Sequence, residues 1–157
     1  MPTDSSMALE DSFEQALIAF IGNSALHGIT LGVNVYQELQ DATTERTTPY
    51  AVVKAEQQEE CDPETGVFKL AVSICLNTQA DDTLAAAQRL QWHHLRSILM
   101  WSDIPGAINT WAAAQPVSLY VFPNSVLRDE PMPRTEHDRS WEQEFKFTCC
   151  AMAMAGP

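Results

Sequence analysis

The chain has 157 residues, 45% hydrophobic and 19% charged, a mixture suited to one domain with a substantial core and not to a disordered or fibrous protein. Its 21 acidic and 9 basic side chains give a net charge of −12, which excludes a grip on nucleic acid built on phosphate neutralisation. The chain lacks the run of about eighteen apolar residues that a transmembrane helix needs, so no membrane partner is expected.

The charge is uneven. Residues 1–66 hold 12 acidic and 2 basic side chains, and residues 67–157 hold 9 and 7. Met1 to Met7 is polar without Lys or Arg, so it is not read as a signal peptide. Asp4, Ser5 and Ser6 are helix-capping residue types, and a helix is predicted over Met7–Ile21. Leu9, Phe13, Ala16, Leu17, Phe20 and Ile21 fall on one of its faces, and Gly22-Asn23 stops it. Ile29, Leu31, Val33 and Val35 alternate with smaller or polar residues, which predicts a strand ending near Tyr36. Gln37 to Thr48 is read as a loop.

Pro49 should open the next strand, Tyr50–Gln57, with Ala51, Val53 and Ala55 on one face. Asp62-Pro63-Glu64-Thr65-Gly66 is turn chemistry, so this strand should hairpin onto an antiparallel partner, 67–76. That partner alternates strongly, with Phe68, Leu70, Val72, Ile74 and Leu76 on its apolar face. The hairpin tip carries Glu59, Glu60, Asp62 and Glu64, either as a solvated end or as an acidic surface facing a partner or a channel.

A helix of about twenty residues, roughly 30 Å long, is predicted from Asp81 or Asp82 to a point before Pro105-Gly106. Leu84, Ala87, Gln91, Leu95 and Ile98 recur along it at one or two turns. Residues 104–115 read as a connector with a short turn of helix at Ala107–Ala113, and Val117–Val121 as a short strand. Residues 123–140 hold three prolines and mixed charges, including Arg128, Arg134 and Arg139, and read as an extended loop or arm. Trp141–Ala151 alternates as a final strand. The order α-β-β-β-α-β-β predicts an α+β single domain over 1–157, a mostly antiparallel sheet with two helices packed on one face.

No chemistry stands out. There is no G-x-S-x-G, P-loop or G-x-G-x-x-G. Asp81-Asp82 is explained by capping, and His93-His94 point about 100° apart on a helix and are poorly placed to share a metal. Cys61, Cys75, Cys149 and Cys150 form no C-x-x-C and read as reduced, packed thiols. No catalytic residue, cofactor or metal is expected, and the chain is not read as an enzyme.

The layout resembles the tail terminator proteins of long-tailed bacteriophages. The resemblance spans roughly residues 8–151 and rests on order and local character. Its pieces are Phe13-Glu14-Gln15-Ala16-Leu17 in the first helix, Thr48-Pro49-Tyr50-Ala51-Val52-Val53 opening the hairpin, and Thr65-Gly66-Val67-Phe68-Lys69-Leu70 leading its second strand. Leu76-Asn77-Thr78-Gln79-Ala80-Asp81-Asp82-Thr83 then leads into the long helix, and a Trp141-led strand closes the chain.

The resemblance implies a structural virion protein at the tail–neck junction, made in the host cytoplasm. Such proteins form a homo-oligomeric ring, commonly a hexamer, on the head-proximal end of the tail tube. The ring stops tube polymerisation and docks the neck or connector proteins, and genomic DNA passes its lumen without specific binding. On that reading Glu56, Glu59, Glu60, Asp62, Glu64, Arg128, Arg134 and Arg139 are candidates for the subunit interface or lumen, the arginines pairing with hairpin acids of a neighbour. The alternatives are another neck protein (a stopper or head-completion protein), a secretion-tube terminator, or a small α+β ligand-binding domain.

Overall fold

A computed structural model describes residues 8–38, 46–62, 66–115, 117–130 and 132–153, excluding the side chains of residues 59–62. Helix α1 (Leu9–Ile21) and a short helix α2 (Ser24–His27) lead to strand β1 (Asn34–Gln37). Strands β2 (Tyr50–Asp62) and β3 (Val67–Gln79) form the predicted hairpin. A 3-10 turn (Asp82–Leu84), helix α3 (Ala85–Leu99) and helix α4 (Ile104–Ala113) follow. Three two-residue strands, β4 (Tyr120–Val121), β5 (Leu127–Arg128) and β6 (Thr135–Glu136), precede the long β7 (Ser140–Met152).

The sheet is mixed but mainly antiparallel. Its order is β1-β2-β3-β7, with β4, β5 and β6 all on the outer side of β7. Only β1 on β2 is parallel among the described pairings. The register places Val53, Ile74 and Phe145 side by side, then Ala55, Val72 and Phe147. All six are buried, so the period-two pattern of three strands makes one continuous apolar face. Phe13, Leu17 and Ile21 of α1 join that core with Leu95, Ile98 and Leu99 of α3 and Ile104 and Ile108 of α4. Phe13 meets Phe147 with ring centroids 6.4 Å apart, which ties α1 to β7 across the core. Lys54, Ser73 and Lys146 share the opposite, polar face.

Several expectations are corrected. The strand expected over 29–36 shrinks to β1. Gly32 has φ +75°, a left-handed conformation that interrupts an extended ladder, yet Leu31 still reaches the core. The hairpin strands run further than 50–57 and 67–76, pairing from Tyr50↔Asn77 to Asp62↔Val67 with two register shifts. The helix expected from Asp81 or Asp82 is a 3-10 turn followed by α3, and the connector expected over 104–115 is a second helix, α4. Pro105 sits in the first turn of α4, and Asp103 caps it by accepting from the Gly106 N–H at 2.9 Å. A helix-stop signal is thus a helix start, and four helices replace the expected two.

The segment read as an arm lies along β7. Tyr120↔Met152, Leu127↔Thr148 and Thr135↔Glu142 are successive pairs of one interrupted antiparallel edge. Prolines cannot donate to a ladder, so a segment carrying several of them pairs only in pieces. Bonds from Phe122 N to Cys150 O (2.9 Å) and from Asp129 N to Lys146 O (3.0 Å) hold it between those pieces. Asn109 of α4 closes the far end, donating to Val121 O and accepting from Val121 N at 2.8 Å each. Among the described residues no helix is long and apolar enough to cross a membrane.

Phe13→Ala should lower the unfolding free energy by about 3–5 kcal/mol, because it opens a cavity between α1 and β7 that the sheet cannot collapse to fill. Urea denaturation followed by circular dichroism measures it.

Candidate functional surface

The two long edges of the sheet differ in charge and in finish. On one side, β1 covers only Tyr50–Val53 of β2, and Glu38 N extends the pairing by donating to Val53 O at 3.1 Å. Beyond this, α1 substitutes for a strand. Glu14 accepts from Ala55 N at 2.8 Å and from Gln37 Nε2 at 3.1 Å, so its carboxylate satisfies the next edge N–H. One turn earlier, Glu10 accepts from Gln57 Nε2 at 2.7 Å.

Between α1 and this edge lies a groove of about 530 Å³. Its carboxylates come from Glu10, Asp11, Glu14, Glu38 and Glu56. Lys54 is the cation lining it, 2.9 Å from Glu56 and 3.8 Å from Glu38. Glu14 forms the floor at 2% exposure. Burial raises its pKa above the ordinary 4.5, and the bonds from Ala55 and Gln37 oppose that shift without cancelling it. Glu14 passed unnoticed in the sequence because it lies beside the apolar face of α1, where only its partners reveal its role.

The other edge is finished by arginines. Arg128 donates from Nε to Leu99 O at 3.0 Å and from Nη2 to Trp101 O at 2.7 Å, capping the last turn of α3 with a positive charge. Arg134 lies over the Trp141 ring, 4.0 Å from its centroid, and donates to Gln88 Oε1 at 2.7 Å and Glu136 Oε1 at 2.5 Å. Two of the three arginines expected at a subunit boundary therefore hold this chain together. Arg139 is exposed, and its guanidinium has no partner among the described residues. Glu56 is exposed at the acidic groove. Glu59, Glu60 and Asp62 belong to β2, their side chains lying outside the described residues with all of Glu64.

A smaller cavity of about 120 Å³ lies where β3 gives way to α3, lined by Thr48, Pro49, Thr78, Leu84, Gln88 and Gln91 among others. Gln88 is 3% exposed, and its Nε2 has no hydrogen-bond partner among the described residues. Arg134 on Oε1 fixes the amide orientation, so the donor end is the free one.

The histidine pair and the cysteines are the other candidates from the sequence. His93 and His94 hold their rings 6.3 Å apart, and no group of three potential metal ligands occurs among the described residues. Cys75, Cys149 and Cys150 are free thiols, and burial pushes Cys75 up to about 11 and Cys149 to about 12, so both stay protonated and weakly nucleophilic at neutral pH.

Two outcomes follow. The raised folded-state pKa of Glu14 means that the folded chain holds this proton more tightly than the unfolded one. Stability from this site is therefore full below pH 4.5 and falls as pH rises from there through the folded value. Glu14→Gln keeps an acceptor for Ala55 and removes the buried charge, so its Tm should exceed wild type at pH 7 and match it at pH 4. Glu14→Ala should instead cost about 1–3 kcal/mol by orphaning an edge N–H. Thermal melts of both variants across pH test this. Arg128→Ala should cost about 1.5–3 kcal/mol and Arg139→Ala less than about 0.5 kcal/mol, as chemical denaturation would report.

Neither a protein-family model nor a curated protein sequence matches this chain.

Proposed function

We propose that this chain is a structural virion protein of a long-tailed bacteriophage, a ring subunit that caps the head-proximal end of the tail tube. In that role it ends tube polymerisation and joins the tube to the neck. The observation that carries the reading is the layout. An N-terminal helix lies over a Pro49-led hairpin, a helix follows the second hairpin strand almost at once, and a Trp141-led strand closes the sheet. That order resembles the layout of tail terminator proteins. Charge supports it too: an acidic hairpin repels phosphate, which suits a lumen that DNA must traverse without sticking.

A second reading, a small ligand-binding domain, is favoured by the cavity at Gln88, whose buried amide donor is unused. Its volume is close to that of engineered cavities of about 150 Å³ that take up a benzene-sized group.

Immunogold labelling of virions from the source should place this chain at the junction of neck and tail tube. Label on the head side of the junction instead would favour a stopper. Absence from every virion would overturn the structural reading, and a rise in Tm with small amide ligands would then support the ligand-binding one.

A further inference from the structure

Helix α3 carries a stripe that nothing among the described residues covers. Arg89, His93, Arg96 and Met100 recur at i, i+4, i+7 and i+11 and are all exposed. Leu90 beside them is 55% exposed and Met100 is 52% exposed. The helix has two arginines, two histidines and no acidic residue. Neither Arg89 nor Arg96 has an ion-pair or hydrogen-bond partner among the described residues. A cationic stripe flanked by exposed Leu and Met is unusual on a chain of net charge −12.

The complementary surface is the acidic groove, which is lined by five carboxylates and one lysine. The groove lies between α1 and the free edge of β2. Helix α3 is held to the β7 side of the sheet by Arg128 of β5 and Arg134 beside β6, and its inner face also meets α1 and the lead-in to β2. Its outer stripe makes no ion pair with the groove of its own subunit among the described residues.

We propose that the exposed stripe of α3 docks into the groove between α1 and β2 of a second copy, with Arg89 and Arg96 set against Glu10 and Glu56. The contact joins two different patches of one fold; made head-to-tail, it repeats from copy to copy until the rotation closes a ring. Five carboxylates share the groove with one lysine, so the groove stays net negative even though Lys54 pairs with Glu38 and Glu56, and the incoming arginines add to that pairing. Leu90 and Met100 supply the apolar contact that ion pairs at a rim do not. This deepens the ring reading and rests on it for closure of the assembly.

Charge swapping on the full-length chain tests it. By mass photometry and sedimentation, wild type should assemble at low salt and dissociate at least ten-fold more readily at 500 mM salt. Arg89→Glu/Arg96→Glu and Glu10→Lys/Glu56→Lys should each be monomeric, since each sets like charges face to face. Mixed in equal amounts, the two variants should assemble again, because both contacts in the mixture join opposite charges. The four changes in one chain should restore self-assembly. All four side chains lie on the surface; should circular dichroism show a variant unfolded, Arg89→Gln/Arg96→Gln replaces it, with weakened assembly expected. Monomeric wild type, or unimpaired assembly of both double variants, would overturn the proposal. So would a mixture that stays monomeric. A successful swap in a chain that labels no virion keeps the contact and removes the tail assignment.

Discussion

Strand β3 is hydrogen-bonded to β2 on one side and β7 on the other along almost its whole length. Every other element takes its position from that double pairing. A one-residue slip on either side would turn a full row of Val, Ile, Leu and Phe to solvent, so burial fixes the register on both sides at once. With about 0.8 kcal/mol for each buried methylene, the apolar row outweighs any single polar contact in choosing the alignment. Helices α1, α3 and α4 then have one apolar surface to cover, and Phe13 on Phe147 anchors the first of them.

A sheet so strongly specified at its centre still has edges, and edges invite unwanted pairing. Each is handled differently. The β7 side is closed by the chain itself, in three short strands, with Asn109 mimicking a strand backbone at one end and Arg128 joining the middle to α3. The β2 side is closed by β1 for four residues and after that by the carboxylate of Glu14. Placing that carboxylate under the helix disfavours its charged form, because desolvation outweighs its two hydrogen bonds. The result is one side closed by the chain itself and one acidic side whose edge, among the described residues, stays unpaired beyond Gln57.

Much of this was legible in the sequence, and the failures have identifiable causes. The faces of β2, β3 and β7 were readable because a period of two survives in any half-buried strand, and α1 was readable from its apolar spacing. Pro105 was misread because one residue type ends helices from inside and begins them from the first turn; the Asp103 cap decides between these uses. The pairing of 123–140 with β7 was not legible because its pieces are too short to show any period.

By itself, then, the sequence determined an α+β chain with a mainly antiparallel sheet, its hairpin turn, its apolar faces and its acidic first half, since these depend on local periodicity, turn chemistry and charge. Only the tertiary structure decided the assignments of individual polar side chains. Arg128 and Arg134 look as free as Arg139 in the sequence, yet two are bound within the chain and one is not. Glu14 looks like any helical glutamate until β2 is laid beside it. The stripe on α3 and the groove at β2 become a candidate pair only once the fold brings each of them to the surface. A side chain's partner depends on which distant segments the core brings near it, and no local pattern encodes that distance.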